Sequence, residues 1–154
     1  MKKSISVFIA LAVLAAGGAV WALDTNTLTV TASVTGTCKF SGATSTLNFG
    51  ALDPSNPVIV NGSANTQFWC TKGVTTDLIT ANLGINPAGA TRQMKDIAGP
   101  DLIPYSLTLS PLAGANAGPA SPRTLTIAGS VLAADYTSKA AGSYSDTVTL
   151  TINP

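Results

Sequence analysis

The chain has 154 residues, with eight Lys or Arg, seven Asp, and no Glu or His. Without an imidazole, Ser-His and Cys-His nucleophiles and the usual histidine zinc site are excluded. The near-cancelling charge argues against nucleic acid or an anionic membrane surface as a partner, because both call for a basic patch.

At the N-terminus, Lys2 and Lys3 precede an almost unbroken apolar run from Ile5 to Ala16. Gly17 and Gly18 break the run, and Val20-Trp21-Ala22 places small residues where a signal peptidase reads. The pattern predicts a secretory signal over residues 1–22, cleaved after Ala22. The uncharged stretch from Ser4 to Leu23 is also long enough for a membrane anchor, but the small residues at its end favour cleavage. Removing Lys2 and Lys3 leaves six basic side chains against seven Asp in a chain of one-domain size.

Leu28, Val30, Ala32 and Val34 alternate with Thr29, Thr31 and Ser33. This period of two lines one face of a strand with apolar groups and the other with hydroxyls. Further strand candidates are Thr46–Gly50, Pro57–Asn61, Ala64–Cys70, Leu78–Ile85, Leu102–Ser110, Thr124–Ala134 and Tyr144–Asn153. The pair Asn61-Gly62 reads as a turn between the second and third of these. In the last, Val148, Leu150 and Ile152 share one face, and Thr147, Thr149 and Thr151 the other. Loops rich in Gly, Pro, Asn and Ala separate them, notably Asn86–Ala90 and Ala113–Pro122. Five prolines between Pro100 and Pro122 would interrupt any helix there. Short strands with frequent turn signals predict an all-β sandwich or barrel.

Cys38 and Cys70 are the only cysteines. In an exported chain an even count predicts one disulfide. It closes a loop of about 33 residues, worth roughly 3 to 4 kcal/mol on the chain-entropy model. No CxxC spacing or basic cluster marks a reactive thiol. The Asp residues are scattered, with Asp53 before Pro54, Asp77 at a strand start and Asp101 after Pro100, so a carboxylate-pair hydrolase is a remote alternative. No Gly-rich phosphate loop is present, and neither a cofactor nor a metal is expected. Of the adjacent Phe68 and Trp69, one should face inward and the other outward, the Trp at a sheet edge, a subunit contact or a sugar.

Several landmarks occur in order along the chain: Gly36-Thr37-Cys38, Leu47-Asn48-Phe49-Gly50 with Asp53-Pro54, Phe68-Trp69-Cys70-Thr71-Lys72-Gly73, Arg92-Gln93-Met94, Tyr105-Ser106-Leu107 and Ile127-Ala128-Gly129. The ending Gly142 to Ile152, read G-S-Y-S-D-T-V-T-L-T-I, is the most specific. Together they resemble the spore coat U domain family, which includes pilins of archaic chaperone–usher fibres. The chain departs from the family at Ala128, where relatives often carry an aromatic, at its Asn153-Pro154 end, and after Leu109.

The resemblance implies an immunoglobulin-like Greek-key sandwich that lacks one strand and is completed by a donor strand. It implies an N-terminal donor-strand extension over residues 23–37 and a pilin domain over 38–154. Leu28, Val30, Ala32 and Val34 would form the donor face, and Val148, Leu150 and Ile152 the edge of the acceptor groove. The implied partners are like or related pilin subunits, a periplasmic chaperone and an outer-membrane usher, with no nucleic acid and no small-molecule substrate. The implied product is a surface fibre (a fimbria in adhesion or biofilm), with the chain a shaft or minor subunit and not an enzyme. The alternative is a self-complemented secreted coat or carbohydrate-binding protein whose own strand folds back. Only Thr35, Gly36 and Thr37 separate the donor from Cys38, which makes that fold-back awkward.

Overall fold

The computed structural model describes residues 23–74, 78–112 and 114–154. The expected signal segment, residues 1–22, lies outside the described residues, as do Asp77 and the first residue of the Ala113–Pro122 loop. The chain divides into two units between Ser33 and Val34. In the first, Leu23–Ser33 contains no helix or strand, and Leu28 and Val30 are 84% and 82% exposed.

In the second unit, Val34–Pro154, the alternation of the three longest strands builds the main sheet. β1 (Cys38–Phe40), β2 (Val60–Cys70), β4 (Arg92–Asp96), β5 (Leu102–Ser110), β6 (Arg123–Val131) and β7 (Tyr144–Ser145) assemble in the order β1-β2-β6-β5-β4-β7. The pairings are antiparallel. β3 (Leu78–Ala81) and β8 (Leu150–Asn153) form a second, two-stranded sheet. The only described helix is the single turn α1 (Ala133–Tyr136). With 38% strand and 3% helix, the fold is all-β and immunoglobulin-like, in agreement with the sequence.

Inward residues of β2 and β6 meet those of the small sheet in one core cluster, Phe68, Cys70, Ile79, Leu125 and Ile127, on which Leu150 and Ile152 pack. A second cluster, Ile103, Tyr105, Val131 and Tyr136, has Phe49, Met94, Tyr144 and Val148 around it. Among the described residues, no strand of the small sheet contributes to this second cluster. Two side chains tie neighbouring layers and loops together. Arg92 donates from Nε to the Asn82 carbonyl at 2.8 Å and from its terminal nitrogen to the Ala81 carbonyl at 3.0 Å, joining β4 to the end of β3. The buried Tyr136 hydroxyl donates to the Val58 carbonyl at 2.8 Å and accepts from the Val58 N–H at 2.9 Å.

The elements differ from the sequence reading in several places. Asn61-Gly62 is not a turn: β2 runs through it, with Asn61 opposite Ser130 and Gly62 opposite Gly129. A primed hairpin turn needs positive φ, and Gly62 is not among the positive-φ glycines. Thr46–Gly50 enters no ladder and instead lies over those two paired glycines. A Cβ on Gly62 would sit 3.1 Å from the Asn48 carbonyl oxygen, and one on Gly129 would sit 3.0 Å from Phe49. The expected strand Leu78–Ile85 stops at Ala81, because Asn82 Oδ1 accepts from the N–H groups of Gly84 and Thr149 at 3.1 and 2.9 Å. Tyr144–Asn153 is split: β7 pairs with β4 and β8 pairs with β3, so residues 146–149 cross between sheets. β1 and β4 were not anticipated as strands.

Candidate functional site: an open groove beside the last strand

The sheet order dictates where the second layer is incomplete. The segment at Leu47–Phe49 lies over β2 and β6, and the chain's last segment leaves the main sheet beyond β4. The inner face of β5 and β4 between them lies under a trough. It consists of two adjoining cavities of about 370 and 560 Å³ that share Leu47, Asn48, Phe49, Met94 and Tyr144. Ile103, Tyr105, Leu107, Ile127 and Met94 supply apolar lining from β4, β5 and β6. Phe49 meets Tyr105 with ring centroids 6.0 Å apart and planes tilted by 59°, a favourable edge-on arrangement for two aromatics.

On the other wall, Val148 and Leu150 line the smaller cavity, whereas Ile152 packs on the closed core cluster with Phe68 and Ile127. Thr149 turns toward β3: its N–H donates to Asn82 Oδ1 and its carbonyl accepts from the Asn82 N–H at 3.0 Å. Consecutive residues of an extended chain present their backbone groups to opposite sides, so those of Val148 point away from Asn82, toward the trough. The arrangement provides an apolar floor with a strand edge beside it, which is what strand addition requires.

Asp146 fixes the point where the last segment changes sheets. Its Oδ2 accepts from the Tyr105 hydroxyl at 2.6 Å, and its Oδ1 accepts from the Ile85 N–H at 2.9 Å. Gly84 beside it has φ +81°, and a Cβ there would overlap the Asp146 carboxylate, so only glycine suits the position. Burial, and then the bond to Asp146, push the Tyr105 hydroxyl well above the ordinary tyrosine range. Asp53 is a solvated turn residue whose pKa is lowered by hydrogen bonds from the Ser55 hydroxyl and N–H. Among the described residues, no group of three or more His, Cys, Asp or Glu could hold a metal ion.

Cys38 and Cys70 are directly opposite in the β1–β2 ladder and joined by a disulfide, with Cα atoms 4.1 Å apart. Phe68 is fully buried and Trp69 partly so, on opposite faces of β2. The structure brings Val148 and Leu150 to the trough, along with residues to which the sequence reading gave no role: Phe49, Met94, Tyr105 and Asp146. Asp146 carried a usable signal, the one carboxylate in an otherwise Thr/apolar strand.

The fold and site define an all-β, immunoglobulin-like domain with a disulfide, an open apolar trough and an exposed alternating segment at 28–34. The chain is a member of the Spore Coat Protein U domain family, whose domain matches residues 24–151. That family comprises surface-associated coat or fimbrial proteins and is structural, not enzymatic. No curated protein matches the chain.

Proposed function

We propose that the protein is a subunit of a surface fibre that polymerises by strand donation, the Leu28–Val34 segment of one copy filling the trough of the next. The carrying observation is the pairing of an apolar trough beside a strand edge with an alternating segment whose Leu28, Val30 and Val34 are more than 80% exposed. The residues proposed as donor face are Leu28, Val30, Ala32 and Val34, and as acceptor edge Val148 and Leu150, with Ile152 anchoring that edge in the core. In this reading, residues 1–22 are a signal for export to the periplasm. A chaperone there occupies the trough until an outer-membrane usher exchanges it for the next subunit's donor.

Val30 is central to the donor face, so Val30→Asp forces an unpartnered carboxylate into an apolar site at a cost of several kcal/mol. Expressed with its chaperone and usher, wild type should give a heat-sensitive ladder on an unheated gel. Val30→Asp should give only monomer, while Thr31→Asp, on the opposite face, should retain most of the ladder. A wild-type ladder from Val30→Asp removes the segment from the donor role. An isolated, chaperone-free monomer that Val30→Asp unfolds points instead to a strand folded into its own domain.

A further inference from the structure

Three exposed apolar side chains of the 34–154 unit gather at one end of the main sheet. Val60 pairs with Val131 at the end of the β2–β6 ladder, and Ile59 and Leu132 lie one step beyond it. Val58, Ile59 and Leu132 are 53%, 58% and 52% exposed. This pole also carries more acid than base: the exposed Asp53, the half-buried Asp101 and Asp135, and the buried Asp96 behind them, against Lys95 and Lys139. The opposite pole, at the Cys38–Cys70 pair, carries the exposed Lys39 and Lys72, together with Arg123 and the partly exposed Trp69.

We propose that the acidic, apolar pole is a second docking surface, and that its occupant is the basic pole of the neighbouring copy whose strand fills the trough. This rests on the strand-donation reading. Between Val34 and Cys38 lie three residues, which reach at most roughly 14 Å when fully extended. Thr35 and Thr37 are further held against their own domain through Thr71 Oγ1. The donating domain must therefore abut the end of the trough from which its strand emerges, and it abuts with its basic pole. A donor running parallel to Tyr144–Asn153 would emerge at the acceptor's own basic pole, setting like charges together. An antiparallel donor emerges at the Tyr144 end, where Ile59 and Leu132 meet Trp69 and the carboxylates meet Lys39 and Lys72. Charge thus selects the antiparallel direction.

The test is carbodiimide cross-linking of assembled wild-type polymer, which joins touching amines and carboxylates, followed by mass spectrometry. Lys39 or Lys72 should be joined to Asp135 or Asp53 of another copy, and no such link should form in monomeric Val30→Asp. In the double variant Ile59→Lys with Leu132→Lys, which sets positive charge against the basic pole of the neighbour, the heat-sensitive ladder should persist but the cross-link should be lost. Polymer that shows the ladder without these links overturns the pole contact and leaves strand donation standing. Links that survive the double variant also overturn it. If wild type forms no ladder, strand donation fails and the pole contact falls with it.

Discussion

Gly129 shows how much of the groove depends on one missing methyl group. A Cβ there would come within 2.8 Å of the Ser106 carbonyl oxygen in β5 and 3.0 Å of Phe49, which lines the trough. The nearer neighbour is backbone and cannot swing aside, so Gly129→Ala should destabilise the domain by about 1–3 kcal/mol, read as a lower urea midpoint. Gly62→Ala, with 3.1 Å to its nearest neighbour, should cost less. Tyr105 acts through Asp146. Tyr105→Phe removes a 2.6 Å hydrogen bond to a part-buried carboxylate, a loss of roughly 1–2 kcal/mol. Because the folded state holds this phenol proton above the ordinary range, its contribution is fully present below about pH 10, where an unfolded tyrosine begins to ionise. It is lost as pH rises from there through the raised folded value. Alkaline unfolding curves should therefore fall less steeply for Tyr105→Phe than for wild type.

At the scale of elements, the disulfide joins β1, only three residues long, to the longest strand. A strand that short has little ladder of its own, so replacing both cysteines by Ser should free β1 and cost about 3–4 kcal/mol. Denatured, unreduced wild type should take up no thiol label. Where side-chain alternation was strong the sequence was legible: Leu102–Ser110 is a strand over those same residues. β4 was missed because Arg92, Gln93, Lys95 and Asp96 leave Met94 as its single apolar residue, and its strand form comes from pairing with β5. Asn61-Gly62 misled for the opposite reason. Its local turn signal is overruled by the need for two facing glycines under the Leu47–Phe49 segment. The groove was legible only through family resemblance, since alternation marks an inward face without revealing which face lacks a cover.

At the scale of the whole molecule, the donor contributes modestly and the acceptor gains most. Burying Leu28, Val30 and Val34 gives roughly 5–8 kcal/mol, and about seven hydrogen bonds give a similar amount. Ordering seven residues costs roughly 7–14 kcal/mol. Those terms nearly cancel, so the stability of a polymer must come mainly from completing the sheet over the half-buried trough lining, Phe49, Met94, Leu107 and Val148. A chain lacking residues 24–33 then has a defined expectation. It keeps the whole 34–154 unit and its trough but has nothing to donate. Co-expressed with wild type, the chaperone and the usher, it should accept one donor and then end growth, shortening the ladder in proportion to its share of the mixture. Alone it should give chaperone-bound monomer and no ladder. If the deleted chain leaves ladder length unchanged while wild type polymerises, its trough does not accept a neighbour's strand. If it fails to fold even with its chaperone while wild type is a stable monomer at all concentrations, the segment completes its own domain, and the secreted self-complemented form is the correct description.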